Sequence, residues 1–116
     1  FDGDECLNTV EAYDTGSTQW ASKPIPKMHV KRSNLCTVAL EGMVYALGGF
    51  DGQDCLATAE VFDPLTRTWT FIPPMLTKRS NFGAAVVDGR IYVIGGFDGT
   101  TCCDTVEAYD PKRRCW

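Results

Sequence analysis

Ala84-Ala85-Val86-Val87-Asp88-Gly89-Arg90-Ile91-Tyr92-Val93-Ile94-Gly95-Gly96-Phe97-Asp98-Gly99 reads as two apolar runs joined by a two-residue turn and closed by a glycine pair. An Asp-Gly dipeptide between apolar runs is a strong hairpin signal, because both turn residues take positive φ. The same reading holds one repeat earlier, where Cys36 to Leu40 and Met43 to Leu47 flank Glu41-Gly42, with Gly48-Gly49 behind them. Paired glycines at the end of a strand mark a place where another group packs on bare backbone. All four glycines are therefore expected to be buried against a bulky side chain.

Working outward, a third β-prone run follows at Thr58 to Phe62, with copies at Thr9 to Tyr13 and Thr105 to Tyr109. Asp63-Pro64 and Asp110-Pro111 then turn the chain, since proline presets φ at the second turn position. A fourth run begins near Trp69 and stops at Ile72-Pro73-Pro74. Strands are expected near 36–40, 43–48, 58–63 and 68–72, with copies near 83–87, 90–95 and 105–110, and no helix longer than one turn. Each unit is then a four-stranded antiparallel meander. Ile91 to Ile94 is apolar on both faces, so sheet packs on sheet from both sides, as in the blades of a β-propeller.

The unit recurs three times. Phe1-Asp2-Gly3, Phe50-Asp51-Gly52 and Phe97-Asp98-Gly99 open the copies, 49 and then 47 residues apart. Tyr13-Asp14, Phe62-Asp63 and Tyr109-Asp110 follow in phase, then Trp20, Trp69 and Trp116. Lys31-Arg32-Ser33-Asn34 is matched by Lys78-Arg79-Ser80-Asn81. The two-residue difference falls between each tryptophan and the next arginine, in a loop that tolerates insertion. A period near 50 residues means repeats that bury their apolar faces only against neighbours. The expected division is the end of one blade at 1–28, a complete blade at 29–76 and most of a third at 77–116.

Composition agrees with a packed all-β protein: 44% of the 116 residues are hydrophobic. A net charge of −4 argues against a general nucleic-acid partner, and no apolar run approaches the roughly 18 residues of a membrane span. The six cysteines form no Cys-x-x-Cys pair, and no Asn-x-Ser/Thr sequon occurs. They read as reduced thiols of an intracellular protein.

The pattern Arg-Ser, apolar strand, Ile-Tyr-Val-Ile-Gly-Gly-Phe-Asp-Gly, Val-Glu-x-Tyr-Asp and Trp resembles the Kelch repeat, over essentially the whole chain. The wording is most similar to the Kelch-like proteins that have a BTB domain upstream. The resemblance implies about two and a half blades of a longer, six-bladed propeller, whose remainder covers the bare blade faces. It also implies a cytoplasmic protein-interaction module, the substrate-recognition propeller of a cullin-RING ubiquitin ligase adaptor. The alternative is an actin-binding or cytoskeletal Kelch protein.

Alternation of the strands puts the two-residue turns on one face, and the Phe-Asp-Gly loops with the Lys-Arg-Ser-Asn segments on the other. The expected partner site is Arg32, Ser33, Asn34, Arg79, Ser80, Asn81, Phe50 and Phe97, with an acidic peptide, a degron-like segment or actin as the ligand. Arginine suits bidentate capture of a carboxylate. The alternative is that each arginine caps its loop or pairs with Asp51 or Asp98. Trp20 and Trp69 are expected to pack on the glycine pairs and blade interfaces, and Glu11, Glu60 and Glu107 to repeat one structural interaction. Cys6, Cys55 and Cys102 share a repeat position on the binding face, as redox sensors, metal ligands or plain accessible thiols. Some Kelch propellers resemble copper oxidases, which need two histidines; His29 stands alone. No catalytic residue, metal or cofactor is expected.

Overall fold

The hairpins form where their turns dictate. Glu41 and Gly42 take φ of 51° and 76°, and Asp88 and Gly89 take 50° and 73°, a left-handed pair whose twist matches that of the flanking strands. In the computed structural model, which describes residues 1–116, these turns join β3 (Cys36–Leu40) to β4 (Met43–Leu47) and β7 (Gly83–Val87) to β8 (Arg90–Ile94). β5 (Ala59–Asp63) and β6 (Thr68–Ile72) complete a four-stranded antiparallel sheet in the order β3-β4-β5-β6. β9 (Val106–Tyr109) completes a three-stranded sheet, and β1 (Tyr13–Asp14) pairs with β2 (Gln19–Trp20) alone. There is no helix. The expected spans in the second and third copies agree with these strands to within a residue.

The expected strand at Thr9 to Tyr13 is cut to Tyr13–Asp14. Its copy β5 is held between β4 and β6, whereas β1 has a ladder on one side only. Without a second neighbour, Thr9 to Ala12 has only the bond from Ala21 N–H to Ala12 O, at 2.7 Å, and no ladder that would fix it as strand.

The sheets stack through two apolar layers. Met28, Ala46, Phe62 and Trp69 join the first unit to the second, with Val10 and Ile25 against them. Tyr45, Leu47, Ala59, Ile72 and Met75 face Phe82, Ile91, Val93 and Tyr109 in the other layer. Met28 and Met75 occupy one repeat position, and each fills a blade interface, a use to which flexible thioethers are suited. Trp69 Nε1 donates to Pro26 O at 2.8 Å and Trp116 Nε1 to Pro73 O at 2.7 Å, so each indole reaches the chain leaving the preceding unit.

Two packing expectations need correction. Trp69 stands at the blade interface as expected, but against Phe62, ring centroids 5.3 Å apart, and not against the glycines; Trp20 is exposed and meets Tyr13 edge-on. The glycine pairs are also not equivalent. Gly48 and Gly49 are buried, while Gly95 and Gly96 are half-buried. A Cβ on Gly48 would meet Arg79 O and Phe82 of the next unit and Met75 of its own, the closest at 2.6 Å. Gly95 has no such neighbour, and its Cβ would meet only Cys103 O, at 3.6 Å. Gly49 and Gly96 are pressed instead by their own unit, with Ser33 O at 2.6 Å and Ser80 O at 2.7 Å.

Candidate functional site

The Lys-Arg-Ser-Asn segments and the Phe-Asp-Gly loops meet on one face, and their side chains divide into a buried frame and an open rim. Arg32 and Arg79 belong to the frame. They are 2% and 0% exposed. Arg32 donates from Nε and Nη2 to Glu60 Oε2, from Nη1 to the Gly48 and Thr58 carbonyls, and from Nη2 to Thr58 Oγ1. Arg79 repeats every one of these bonds with Glu107, Gly95, Thr105 and Thr105 Oγ1. A guanidinium has five N–H donors, and each is used. Glu60 also accepts from His29 and Val30 N–H, and from the His29 ring at Nδ1 2.7 Å away. Burial lowers the Arg32 pKa from its ordinary value, and the Glu60 carboxylate opposes that shift.

The expectation that these guanidinium groups meet a partner is therefore corrected: they are saturated inside their own blade. Their partners are the in-phase glutamates, and not Asp51 or Asp98. Those two aspartates, like Asp2, turn back on their own loops. Asp51 Oδ1 accepts from Gln53 and Asp54 N–H, and Asp98 Oδ1 from Thr100 and Thr101 N–H. These backbone bonds hold the carboxyls below their ordinary pKa.

Ser33 and Ser80 line the open side, though both are largely buried. Ser33 exchanges backbone hydrogen bonds with Phe50, and Ser80 with Phe97. Their hydroxyls meet thiols of the preceding unit: Cys6 Sγ donates to Ser33 Oγ at 3.3 Å, and Cys55 Sγ lies 3.4 Å from Ser80 Oγ. Cys6 and Cys55 are thus inter-blade contacts and not accessible thiols; only the third copy, Cys102, is exposed. All six cysteines are unpaired, and no group of three His, Cys, Asp or Glu is placed to hold a metal. Asn34 and Asn81 are exposed and left-handed, both at φ 51°, a conformation asparagine tolerates better than most residues.

Between successive Phe-Asp-Gly loops lie two clefts. The first, about 620 Å³, is lined by Phe1, Asp4, Lys31, Ser33, Phe50 and Asp51, among others. The second, about 440 Å³, is its repeat copy, lined by Phe50, Asp54, Lys78, Ser80, Phe97 and Asp98. Asn34 borders both. The face thus brings together six of the eight expected residues as backbone ties or rim, with Asn81 one position beyond the second cleft, and turns the two arginines inward.

Antiparallel meanders stacked sheet on sheet, one of them a complete four-stranded unit, with clefts between their loops, define a segment of a β-propeller. The Kelch motif matches residues 31–76 and 78–116, and the chain belongs to that family of protein-interaction repeats. Kelch-like protein 23 of Homo sapiens and of Pongo abelii are each 35% identical to it over 68 residues, 59% of this chain and 12% of the relative. The chain thus matches about an eighth of the length of these curated relatives.

Proposed function

We propose that this chain is part of the substrate-recognition propeller of a cullin-RING ubiquitin ligase adaptor, a cytoplasmic role. Its partner is engaged by the Phe-Asp-Gly face. The observation that carries the reading is the pair of repeat-related clefts, open between loops that a rigid stack of sheets holds apart. Loops fixed on such a scaffold are the usual place for recognition. The rim consists of Asn34, Asn81, Phe50 and Phe97 over the serine ties Ser33 and Ser80, while Arg32 and Arg79 hold its shape from beneath. The adaptor role rests on the similarity to Kelch-like proteins.

The test uses the full-length protein in cells, comparing wild type with Phe50→Ala and Phe97→Ala by affinity purification. Both variants are expected to keep cullin association and to lose a common set of captured proteins. Absence of cullin from the wild-type material, or co-sedimentation with filamentous actin in its place, would overturn the adaptor reading. Unchanged captures in both variants would move the site off this face.

A further inference from the structure

The charge of the rim points to a class of partner. The three Phe-Asp-Gly loops, residues 1–6, 50–55 and 97–102, contain six carboxylates and no cation. The adjoining Lys-Arg-Ser-Asn segments add only Lys31 and Lys78, since both arginines are buried against glutamates. Six carboxylates against two lysines leave −4 on this face, equal to the net charge of the whole chain. The first cleft concentrates it. Lys31 is taken up by Glu5 at 3.1 Å. Asp4 has no partner within the chain, and Asp51 keeps Oδ2 free once Oδ1 is committed to its loop. Phe1 and Phe50 stand on the same cleft. Aromatic faces beside carboxylates favour a cation on an apolar stem. In the second cleft Lys78 is unpaired and offsets one of Asp54 and Asp98.

We infer that the cleft between the Phe1 and Phe50 loops receives a lysine or arginine side chain of a partner's extended segment, with an apolar neighbour beside it. The inference rests on the reading of this face as the recognition face, and it replaces the acidic ligand expected from the sequence. Complementary charge of this kind sets partner choice and on-rate more than raw affinity.

The test presents immobilised full-length protein with octapeptide pools, each with one position fixed as Arg, Lys, Asp or Glu. The Arg and Lys pools are expected to be retained about tenfold more than the acidic pools. Asp4→Lys is expected to abolish that preference with an unchanged melting temperature, because the Asp4 carboxylate bonds to nothing. Glu41→Lys, on the opposite face, is expected to leave it intact. Equal loss in both variants, or retention of no pool, overturns the inference. Preference for Asp or Glu pools that disappears in Phe50→Ala would leave the face as the site and overturn only the charge class. Acidic preference indifferent to Asp4→Lys, Phe50→Ala and Phe97→Ala would sink both readings.

Discussion

Arg79 gives up its hydration entirely, and the bonds that replace it decide what the residue is for. A buried charge that loses its partner is costly, commonly about 3–5 kcal/mol. Arg79→Ala would leave the buried Glu107 carboxylate its bonds from Leu76 and Thr77 N–H but no cation, so a loss of that order is expected in urea unfolding of the full-length protein. Arg79→Lys should recover little, since an ammonium has three N–H groups and no planar fork. An unchanged unfolding midpoint for Arg79→Ala would contradict the structural role. Gly96 makes a second case. At φ +94°, its Cβ would meet Phe82 Cβ and Ser80 O, each at 2.7 Å. Gly96→Ala is expected to cost roughly 1–3 kcal/mol from strain at that φ. Gly95→Ala should cost less, because its Cβ would meet only Cys103 O at 3.6 Å. Thermal melts of the two variants side by side would expose a wrong ranking.

The Phe-Asp-Gly loop is a small element with its own logic. An aspartate that caps two N–H groups of the following residues needs no other support, which is why the loop recurs unchanged while its neighbours vary. Protonating that aspartate removes the acceptor. Asp2, Asp51 and Asp98 all titrate below the ordinary value of 3.8 because they accept these backbone bonds. A lowered carboxyl pKa means that the folded loop binds protons less readily than the unfolded chain. The contribution is therefore complete above pH 3.8 and is lost as pH falls through the depressed values. In an NMR titration, the Asp98 carboxyl carbon and the Thr100 and Thr101 amides should move together, with a midpoint below 3.8. A midpoint at or above it would rule the cap out.

Between units, the molecule is joined by periodic polar ties laid over apolar layers. Trp69 to Pro26 O, Cys36 to Phe82 O at 2.8 Å, and the Cys–Ser pairs all cross from one sheet to the next. Trp69→Phe deletes the indole donor while keeping most of the ring, and should cost on the order of 1 kcal/mol, seen as a small drop in melting temperature without loss of cooperativity. No change would mean that the Pro26 carbonyl finds water as good a partner. The apolar layers explain why copies of one residue differ so much. Leu47 and Ala59 are fully buried, yet their copies Ile94 and Val106 are 50% and 57% exposed. The middle sheet is covered on that side by the third, and the third has nothing over it. In any chain that adds a repeat against this face, Ile94 and Val106 would be buried as Leu47 and Ala59 are.

Turn chemistry and repeat phase were enough to place the strands of the second and third units, because Asp-Gly, Glu-Gly and Asp-Pro act on the backbone locally. The first unit, where Thr9 to Ala12 lacks a neighbouring strand, kept only Tyr13–Asp14 of its expected strand. The same reasoning put the Phe-Asp-Gly loops and the Lys-Arg-Ser-Asn segments on one face. Other features were legible but unread: the in-phase Met28 and Met75, and the 28-residue step common to Arg32 with Glu60 and Arg79 with Glu107. What no local signal contained was direction and cover. Whether an arginine on a loop points to solvent or folds under it depends on carbonyls and a carboxylate supplied from two other strands. Whether a glycine or a cysteine is buried depends on the adjoining sheet. The charge of the Phe-Asp-Gly face was deepened by those choices, since the burial of Arg32 and Arg79 against glutamates leaves six carboxylates facing only two lysines. Such outcomes belong to the tertiary structure, because desolvation is set by everything that surrounds a group and by very little of what precedes it in the chain.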